Sequence, residues 1–298
     1  GTIEGLNRYN KTTGNFKRFG YAGNEPSVLK DLHIRHIHFE SDSILWIATY
    51  YSGLFRYNKH KQSIKQFIHN ENDTNSLPSN RVNTFYVDFD NDYWVGTEHG
   101  GLSLFNKETG TFTHFLPEPG NPASKNNDIV SAITQTSDSI FWIGTWNGGL
   151  NKFDKKKGWI KKFKPEEGNA NSLSTNTVRE IVPGAEGNLW LATFGGGIDV
   201  FNPKNQTFRH FKNSEMDSHT ISHDFVWTLF FDDAGLLWIG TFGNGINILD
   251  KGKQKFPLYQ KEQGAKNTLS GNKVTAAFQD SQGFLWLGTL GNGLNRLN

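Results

Sequence analysis

Three features common in proteins are missing from this sequence of 298 residues, and each absence excludes a class of function. Without cysteine, the chain has no disulfide, thiolate metal site or cysteine nucleophile, which is compatible with a periplasm or a cytosol. No apolar run approaches the roughly 20 residues of a membrane-spanning helix. The 31 Lys and Arg residues nearly balance 29 Asp and Glu, so no broad field attracts nucleic acid or anionic lipid.

The first ten residues, GTIEGLNRYN, also lack the charged and then apolar segments of a signal peptide. They match the middle of a repeat that recurs later in the chain. We therefore expect the sequence to be a piece of a longer repeat array.

What the sequence does contain is one stretch that recurs six times at intervals of 48 residues. Each copy consists of Trp, an aliphatic residue, Gly or Ala, and Thr; the tryptophans are Trp46, Trp94, Trp142, Trp190, Trp238 and Trp286. A glycine and an aliphatic residue follow the same register near positions 5, 53, 101, 149, 197, 245 and 293. This uninterrupted period predicts a single repeat domain over residues 1–298.

Each unit predicts four short strands separated by clusters of Gly, Asn, Asp and Ser. In one unit we expect strand A at 81–88, strand B at 92–97, strand C at 101–106 and strand D at 111–115. Four antiparallel strands at a period in the forties are typical of a β-propeller blade. The predicted fold class is therefore all-β, a β-propeller of four-stranded antiparallel blades.

The recurring stretch is expected to serve packing. A buried tryptophan removes about 150–250 Å² from water, which corresponds to about 4–6 kcal/mol at most. The small residue that follows lets the adjacent blade approach closely. The hydroxyl of the repeated Thr can satisfy a buried backbone group.

The predicted strands number 25: a C and a D strand, five sets of four, and a final A, B and C. Because seven four-stranded blades need about 28 strands, the chain is interpreted as a fragment of a seven-bladed ring. A six-bladed ring, in which the N-terminal D strand pairs with the last blade, is the alternative.

A longer signature, D-x-x-G-x-L-W-I-G-T-x-G-x-G-L/I-N, describes residues 232–249 and 280–297, and the loops at 72–82 and 168–178 share an Asn-Ser-Leu spacer. These repeats resemble the regulator-propeller repeat of bacterial two-component regulators. The resemblance extends over essentially the whole chain.

Two repeats, at 32–40 and 183–187, depart from the Asp-x-x-Gly turn of that signature. The resemblance implies a periplasmic sensor region of a Bacteroidetes-type hybrid two-component system, often responsive to glycans. It also implies a non-catalytic segment without a cofactor. An oligosaccharide ligand, a downstream propeller and immunoglobulin-like domain of the same protein, and a second copy in a homodimer are the implied partners.

Ligands of propellers usually bind at the end of the ring where loops from many blades meet, and the turns from strand B to strand C are expected there. Several of these turns carry aromatic side chains, which suit the apolar faces of sugar rings. The candidate ligand-binding residues are Tyr50, Arg81, Glu98, His99, Trp146, Asn147, Arg179, Phe194, Phe242 and Asn244. Other polar residues at the starts of strand A form a second expected set: Asn80, Asp128, Asn176, Asp224, Asn272 and Lys273.

Two other functions remain open. Streptogramin-lyase-like propellers have similar repeats, and the catalytic candidates of such a lyase or hydrolase would be Glu98, His99, Glu180 and His223. No spacing connects these four residues. A purely structural propeller that mediates dimerisation is the other alternative.

The run from His33 to His38 invites a metal interpretation, because His36 and His38 share one face of a strand. The equivalent positions of another repeat hold Thr84 and Tyr86, so we interpret them as packing positions. The sequence predicts no metal site and no contact of this segment with nucleic acid or membrane.

Overall fold

A computed structural model of the protein describes residues 1–10, 12–13, 15–21, 26–115, 129–217, 219–249, 256–265 and 267–297. The described residues form 25 strands, as expected, and two short 3-10 turns, Ser27–Leu29 and Ala185–Gly187. They include no helix with the length and hydropathy needed to cross a membrane. The chain divides into two compact units, residues 1–139 (unit 1) and residues 140–298 (unit 2).

Unit 1 begins with a two-stranded antiparallel sheet and continues with two four-stranded sheets. The two-stranded sheet consists of β1 (Asn7–Tyr9) and β2 (Phe16–Arg18). The four-stranded sheets consist of β3 (Ile34–Ser41), β4 (Ile44–Thr49), β5 (Leu54–Asn58) and β6 (Ser63–Phe67), and of β7 (Val82–Val87), β8 (Tyr93–Thr97), β9 (Leu102–Phe105) and β10 (Phe112–Phe115). The last strand of the unit is β11 (Val130–Gln135).

Unit 2 contains fourteen strands with the same antiparallel connection between neighbours. They are β12 (Ile140–Thr145), β13 (Gly149–Asp154), β14 (Gly158–Phe163), β15 (Val178–Pro183), β16 (Leu189–Thr193), β17 (Ile198–Asn202), β18 (Thr207–Phe211), β19 (Val226–Phe231), β20 (Leu237–Thr241), β21 (Ile246–Leu249), β22 (Leu258–Tyr259), β23 (Val274–Gln279), β24 (Leu285–Thr289) and β25 (Gly293–Leu297). The sheets β15 to β18 and β19 to β22 have four strands, and β23 to β25 form a sheet of three.

The fold is an all-β propeller of four-stranded antiparallel blades, and the expectation of seven blades is wrong. Each blade has one strand B with the repeated tryptophan, and the described residues contain six such strands: β4, β8, β12, β16, β20 and β24. The first two strands do not make a seventh four-stranded blade, because β1 and β2 form a sheet of two strands.

Repeated tryptophans pack between neighbouring blades in each unit, as their recurrence predicts. In unit 1, Trp46 is buried and stacks on Phe85 of the next blade with ring centroids 5.3 Å apart. In unit 2, Trp142 is buried and its ring lies 4.9 Å from that of Phe201 in the following blade. Burial of these rings is the largest apolar contribution of each repeat.

The small residue and the threonine of each repeat also have the expected roles. A Cβ atom on Gly96 would lie 2.5 Å from Val130, so only glycine allows this approach of the neighbouring strand. The hydroxyl of Thr193 donates a 2.8 Å hydrogen bond to the carbonyl oxygen of Gly197 across the turn. The same bond occurs at Thr49, Thr97, Thr145, Thr241 and Thr289.

The acidic residue of the Asp-x-x-Gly turn has a role that the sequence did not reveal. The indole nitrogen of Trp238 donates a 2.7 Å hydrogen bond to Oδ2 of Asp232, whose Oδ1 accepts one from the Leu236 backbone. In the divergent repeat at 32–40, Glu40 replaces the aspartate and still accepts from the Trp46 indole at 2.7 Å. At the equivalent position of the other divergent repeat, Gly184 offers no side chain.

Candidate functional site

The candidate site residues follow the repeated threonine, where strand B turns towards strand C. The chain turns sharply there, and His99 and Asn147 both adopt positive φ angles, 66° and 70°. Asparagine tolerates this conformation better than most residues. We use the name rim for the side chains at these turns together with those at the starts of the A strands.

Unit 1 brings four of the predicted residues together around one ring. The Tyr50 hydroxyl donates to Glu98, and Glu98 Oε1 accepts a 2.7 Å hydrogen bond from Arg81 Nη1. The His99 Nε2 atom lies 3.4 Å from the same carboxylate oxygen. The Arg81 guanidinium also lies over the Tyr50 ring, 5.4 Å from its centroid. Tyr50, Arg81, Glu98 and His99 therefore form one contiguous cluster.

Sequence reasoning missed three further members of this unit 1 cluster. The Arg35 guanidinium lies 4.4 Å from the centroid of Tyr50, and the Tyr51 ring lies 4.6 Å from that of Tyr50 at 70°. The His33 ring is 5.2 Å from Tyr50, because the Tyr50 amide donates to the His33 carbonyl oxygen. Side chains two residues apart on a strand point to the same face, so the sequence could have placed Arg35 beside His33.

The charges in the unit 1 cluster are set by burial and by these contacts. Burial acts to raise the pKa of Glu98, but hydrogen bonds from Tyr50 and Arg81 outweigh it and lower the pKa below its usual value. Burial and then the hydrogen bond to Glu98 raise the pKa of Tyr50. Burial and the charge of Arg35 lower the pKa of His33. At neutral pH the cluster therefore contains two cations and one ion-paired carboxylate.

The rim of unit 2 is mainly aromatic. The rings of Trp146 and Phe194 lie 5.2 Å apart, and those of Phe194 and Phe242 lie 6.3 Å apart. Two aromatic residues that the sequence did not single out join the row, with Phe225 4.4 Å from Phe194 and Trp227 5.0 Å from Phe242. Since Trp146, Phe194 and Phe242 remain partly exposed, the row offers an apolar surface with ring faces in reach of a ligand.

Two cations border this aromatic row. The Arg179 guanidinium lies 5.2 Å from the Trp146 ring and 4.2 Å from the Trp227 ring. The Lys273 ammonium lies 4.8 Å from Phe242. Cations over ring faces are held there by the ring quadrupole.

The two predicted asparagines differ in what their side chains contact. Asn147 is exposed, and its Oδ1 accepts a long 3.5 Å hydrogen bond from Thr177. The Asn244 amide donates 2.9 Å to the Ser222 carbonyl oxygen and thereby fixes a neighbouring loop. Asn147 is thus the better placed of the two to donate to a ligand.

Two members of the second predicted set, Asn80 and Asp224, have structural contacts. The carbonyl oxygen of Asn80 accepts from the Gly53 amide at 2.9 Å, and its side chain accepts from His69 at 2.8 Å. The Asp224 side chain accepts from the Asn213 amide at 2.7 Å in the same way. Asp128 lies outside the described residues.

Of the four residues proposed for an enzyme, Glu98 and His99 belong to the unit 1 cluster, and Glu180 and His223 each have a different environment in unit 2. Glu180 accepts a 2.7 Å hydrogen bond from the Leu229 amide, and burial raises its pKa. The His223 ring packs 5.0 Å from Phe225, and its Nδ1 accepts from the Phe225 amide. The Glu180 side chain is thus bonded to the backbone of β19, and the His223 side chain is bonded to the backbone just before β19.

The histidine run contacts aromatic rings. His38 lies 5.5 Å from Phe85, and burial, then the charge of His38, lowers the pKa of His36 to about 4. A different group, Asp88, Asp90 and Asp92, has carboxylates close enough for a cation. Asp88 Oδ1 already accepts from the amides of Asp90 and Asp92, and this bonding defines the turn.

A small cleft in unit 2 lies away from the rim. It has a volume of about 120 Å³ and is lined by Lys161, Lys164, Glu166 and Phe208 among others. It shares none of its lining residues with the rim.

Comparison with known proteins bears on this geometry. Three stretches, residues 76–99, 220–243 and 268–291, match the model of the two component regulator propeller family. The chain carries two-component regulator propeller repeats. The resemblance read from the repeated signature is thereby confirmed. No curated protein matches the chain.

Solved structures with a similar fold include extracellular domains of bacterial signalling systems. The extracellular domain of the hybrid two component system BT3049 from B. thetaiotaomicron is 27% identical with a TM-score of 0.79, and the match covers 99% of this chain and 37% of that one. The extracellular domain of the one component system BT4673 from the same organism is 19% identical with a TM-score of 0.64, covering 100% and 43%. This regulator propeller thus spans about two fifths of either structure.

A lyase is also similar to this chain in its β-propeller fold. Virginiamycin B lyase from Staphylococcus aureus is 15% identical with a TM-score of 0.63, and the match covers 90% of this chain and 85% of that one. At this identity the likeness shows the fold alone. The likeness to BT4673, at 19% identity, also shows the fold alone.

Proposed function

We propose that this regulator propeller is a non-catalytic, extracytoplasmic ligand-binding segment of a two-component signalling protein, and that its ligand is a glycan. The observation that carries the proposal is the aromatic row of Trp146, Phe194 and Phe242 in unit 2. Carbohydrates stack their apolar C–H faces on such rings, while nearby polar groups bond the hydroxyls. The similarity to the extracellular domain of BT3049 supports the location and the signalling role.

The proposed partners follow from the same similarity. Because the chain spans 37% of the BT3049 structure, a further propeller and an immunoglobulin-like domain of the same protein are the proposed neighbours. A homodimer of the sensor region would let binding in the propeller change the arrangement of two output domains.

The contacts of Glu180 and His223 favour a sensor over a lyase. Each side chain hydrogen-bonds the backbone of the segment it packs against. A general acid or base needs to reach the proton it transfers within about 3 Å. Within the described part of the chain, neither side chain hydrogen-bonds an acid or a base.

A thermal-shift screen against oligosaccharides tests the proposal. A ligand that binds only the folded state raises the unfolding temperature by mass action. We expect at least one oligosaccharide to stabilise the protein and to be recovered unchanged by chromatography. Trp146→Ala should abolish the shift, whereas Phe278→Ala, which removes a 60% exposed ring outside the rim, should keep it. Turnover of the ligand, or no shift with any glycan, would contradict the proposal.

A further inference from the structure

We infer that the unit 1 cluster around Tyr50 binds the anionic group of an acidic sugar, with Arg35 as its charge partner. This inference rests on the proposed glycan-sensing function and names the ligand class of one part of the rim. Its basis is that Arg81 and Arg35 both lie over the Tyr50 ring but differ in whether a carboxylate neutralises their charge.

Arg81 is already neutralised within the cluster. Its Nη1 atom donates to Glu98 at 2.7 Å, and the Glu98 side chain is only 13% exposed. This carboxylate also accepts from the Tyr50 hydroxyl. Glu98 therefore has little capacity left to bond the hydroxyls of a neutral sugar, and Arg81 has its charge compensated.

Arg35 is held in place without such compensation. Its guanidinium lies 4.4 Å from the Tyr50 centroid, and no carboxylate of the described residues lies within ion-pair distance of it. The side chain is exposed. A guanidinium presents planar paired donors that match a carboxylate or a sulfate. Stacking on Tyr50 limits its rotamers, so less entropy is lost on binding.

The neighbouring aromatic ring completes the site. Tyr51 is 63% exposed and stands at 70° to Tyr50, so its ring lies beside the tyrosine that the Arg35 guanidinium covers. A pyranose ring can stack on Tyr51 while a carboxylate or sulfate on that ring bonds Arg35. The pKa of His33 is lowered by burial and by Arg35, so at neutral pH the uncharged His33 ring can accept a hydrogen bond from a hydroxyl of the sugar.

The test compares an acidic disaccharide with its neutral counterpart. We would titrate the protein with digalacturonate, with galactobiose and with galactose 6-sulfate by calorimetry, at low and high salt. Arg35→Gln is the test variant. Arg18→Gln is the matched control, because the Arg18 guanidinium also lies 4.4 Å from a tyrosine ring in unit 1, that of Tyr21.

The inference predicts that the wild type binds digalacturonate more tightly than galactobiose and that salt weakens this preference. Arg35→Gln should weaken digalacturonate binding by about tenfold, which equals about 1.4 kcal/mol, and should change galactobiose binding less than twofold. Arg18→Gln should change neither. Tighter binding of galactose 6-sulfate than of digalacturonate would assign the anion as a sulfate and still support the role of Arg35.

Equal affinity for the acidic and neutral disaccharides, or unchanged digalacturonate binding by Arg35→Gln, would overturn the inference and leave the glycan sensor intact. Failure of the folded wild type to bind any of the three sugars would also overturn it. Failure of the whole oligosaccharide screen would in addition overturn the proposed function.

Discussion

Two histidines at equivalent positions of different blades should give the protein opposite pH dependences of stability. His210 on β18 faces Asp199 on β17, and its Nδ1 atom lies 2.6 Å from the carboxylate. His114 on β10 faces Ser103 on β9 at 2.9 Å instead. Both rings place Nε2 3.0 Å from a loop carbonyl oxygen, that of Ala170 or Thr74. The two sites therefore differ mainly in the residue that the histidine contacts on strand C, which is Asp199 for His210 and Ser103 for His114.

The two pKa shifts differ in sign. The hydrogen bond to Asp199 raises the pKa of His210 in the folded state, so the folded protein binds the proton more tightly than the unfolded chain. That stabilisation is fully present below about pH 6.5, the unfolded value, and is lost as pH rises through the folded pKa. Burial lowers the pKa of His114, so its contribution is lost as pH falls below about 6.5.

The size of the effect follows from the contacts. Asp199 is fully buried and the His210 side chain is 23% exposed, so the bond of the charged pair should contribute about 2 kcal/mol to the free energy of unfolding. The neutral bond of His114 to Ser103 should contribute about 1 kcal/mol. Removing His210 also leaves the buried carboxylate with the Ser174 amide as a remaining donor.

Urea unfolding of the wild type, His210→Gln and His114→Gln between pH 5 and pH 9 measures both contributions. The free-energy difference between wild type and His210→Gln should be largest at pH 5 and shrink towards pH 9. The difference for His114→Gln should grow from pH 5 to pH 9. Differences that change in the same direction for both variants, or that do not change with pH, would refute the reasoning.

Two further predictions concern the repeat itself. Asp232→Ala should lower the free energy of unfolding by about 2 kcal/mol, because the Trp238 indole loses its part-buried charged acceptor; exposed Asp233→Ala is the control in the same urea assay, and equal effects would contradict the assigned bond. Gly96→Ala should cost about 1–3 kcal/mol, because the added Cβ would lie 2.5 Å from Val130; a variant as stable as wild type in thermal unfolding would show that the blades can separate there.

Much of the fold was predictable because each repeat carries local signals. Turn residues and the regular alternation predict the strands, and the observed bounds of β7 (Val82–Val87) and β10 (Phe112–Phe115) lie within one residue of expectation. The roles of the tryptophan, the small residue and the threonine follow from residue chemistry. The number of blades did not follow, since a strand count does not say how terminal strands pair.

The candidate site was predictable only in part. The residue after each threonine marks the rim, so Tyr50 and Trp146 could be selected from the sequence. The contacts of Arg35 with Tyr50 and of Trp227 with Phe242 join side chains from different strands. Such contacts depend on how the strands are arranged in space, and spacing along one chain does not show them.

Titration calorimetry with the oligosaccharide that stabilises the protein most is the measurement that tests the central claim most directly. We predict saturable binding by the wild type, at least tenfold weaker binding by Trp146→Ala, unchanged binding by Phe278→Ala and no breakdown of the sugar. Loss of the Trp146 ring would remove a stacking surface that borders Phe194 and Arg179. Equal affinity of Trp146→Ala and the wild type would contradict the account.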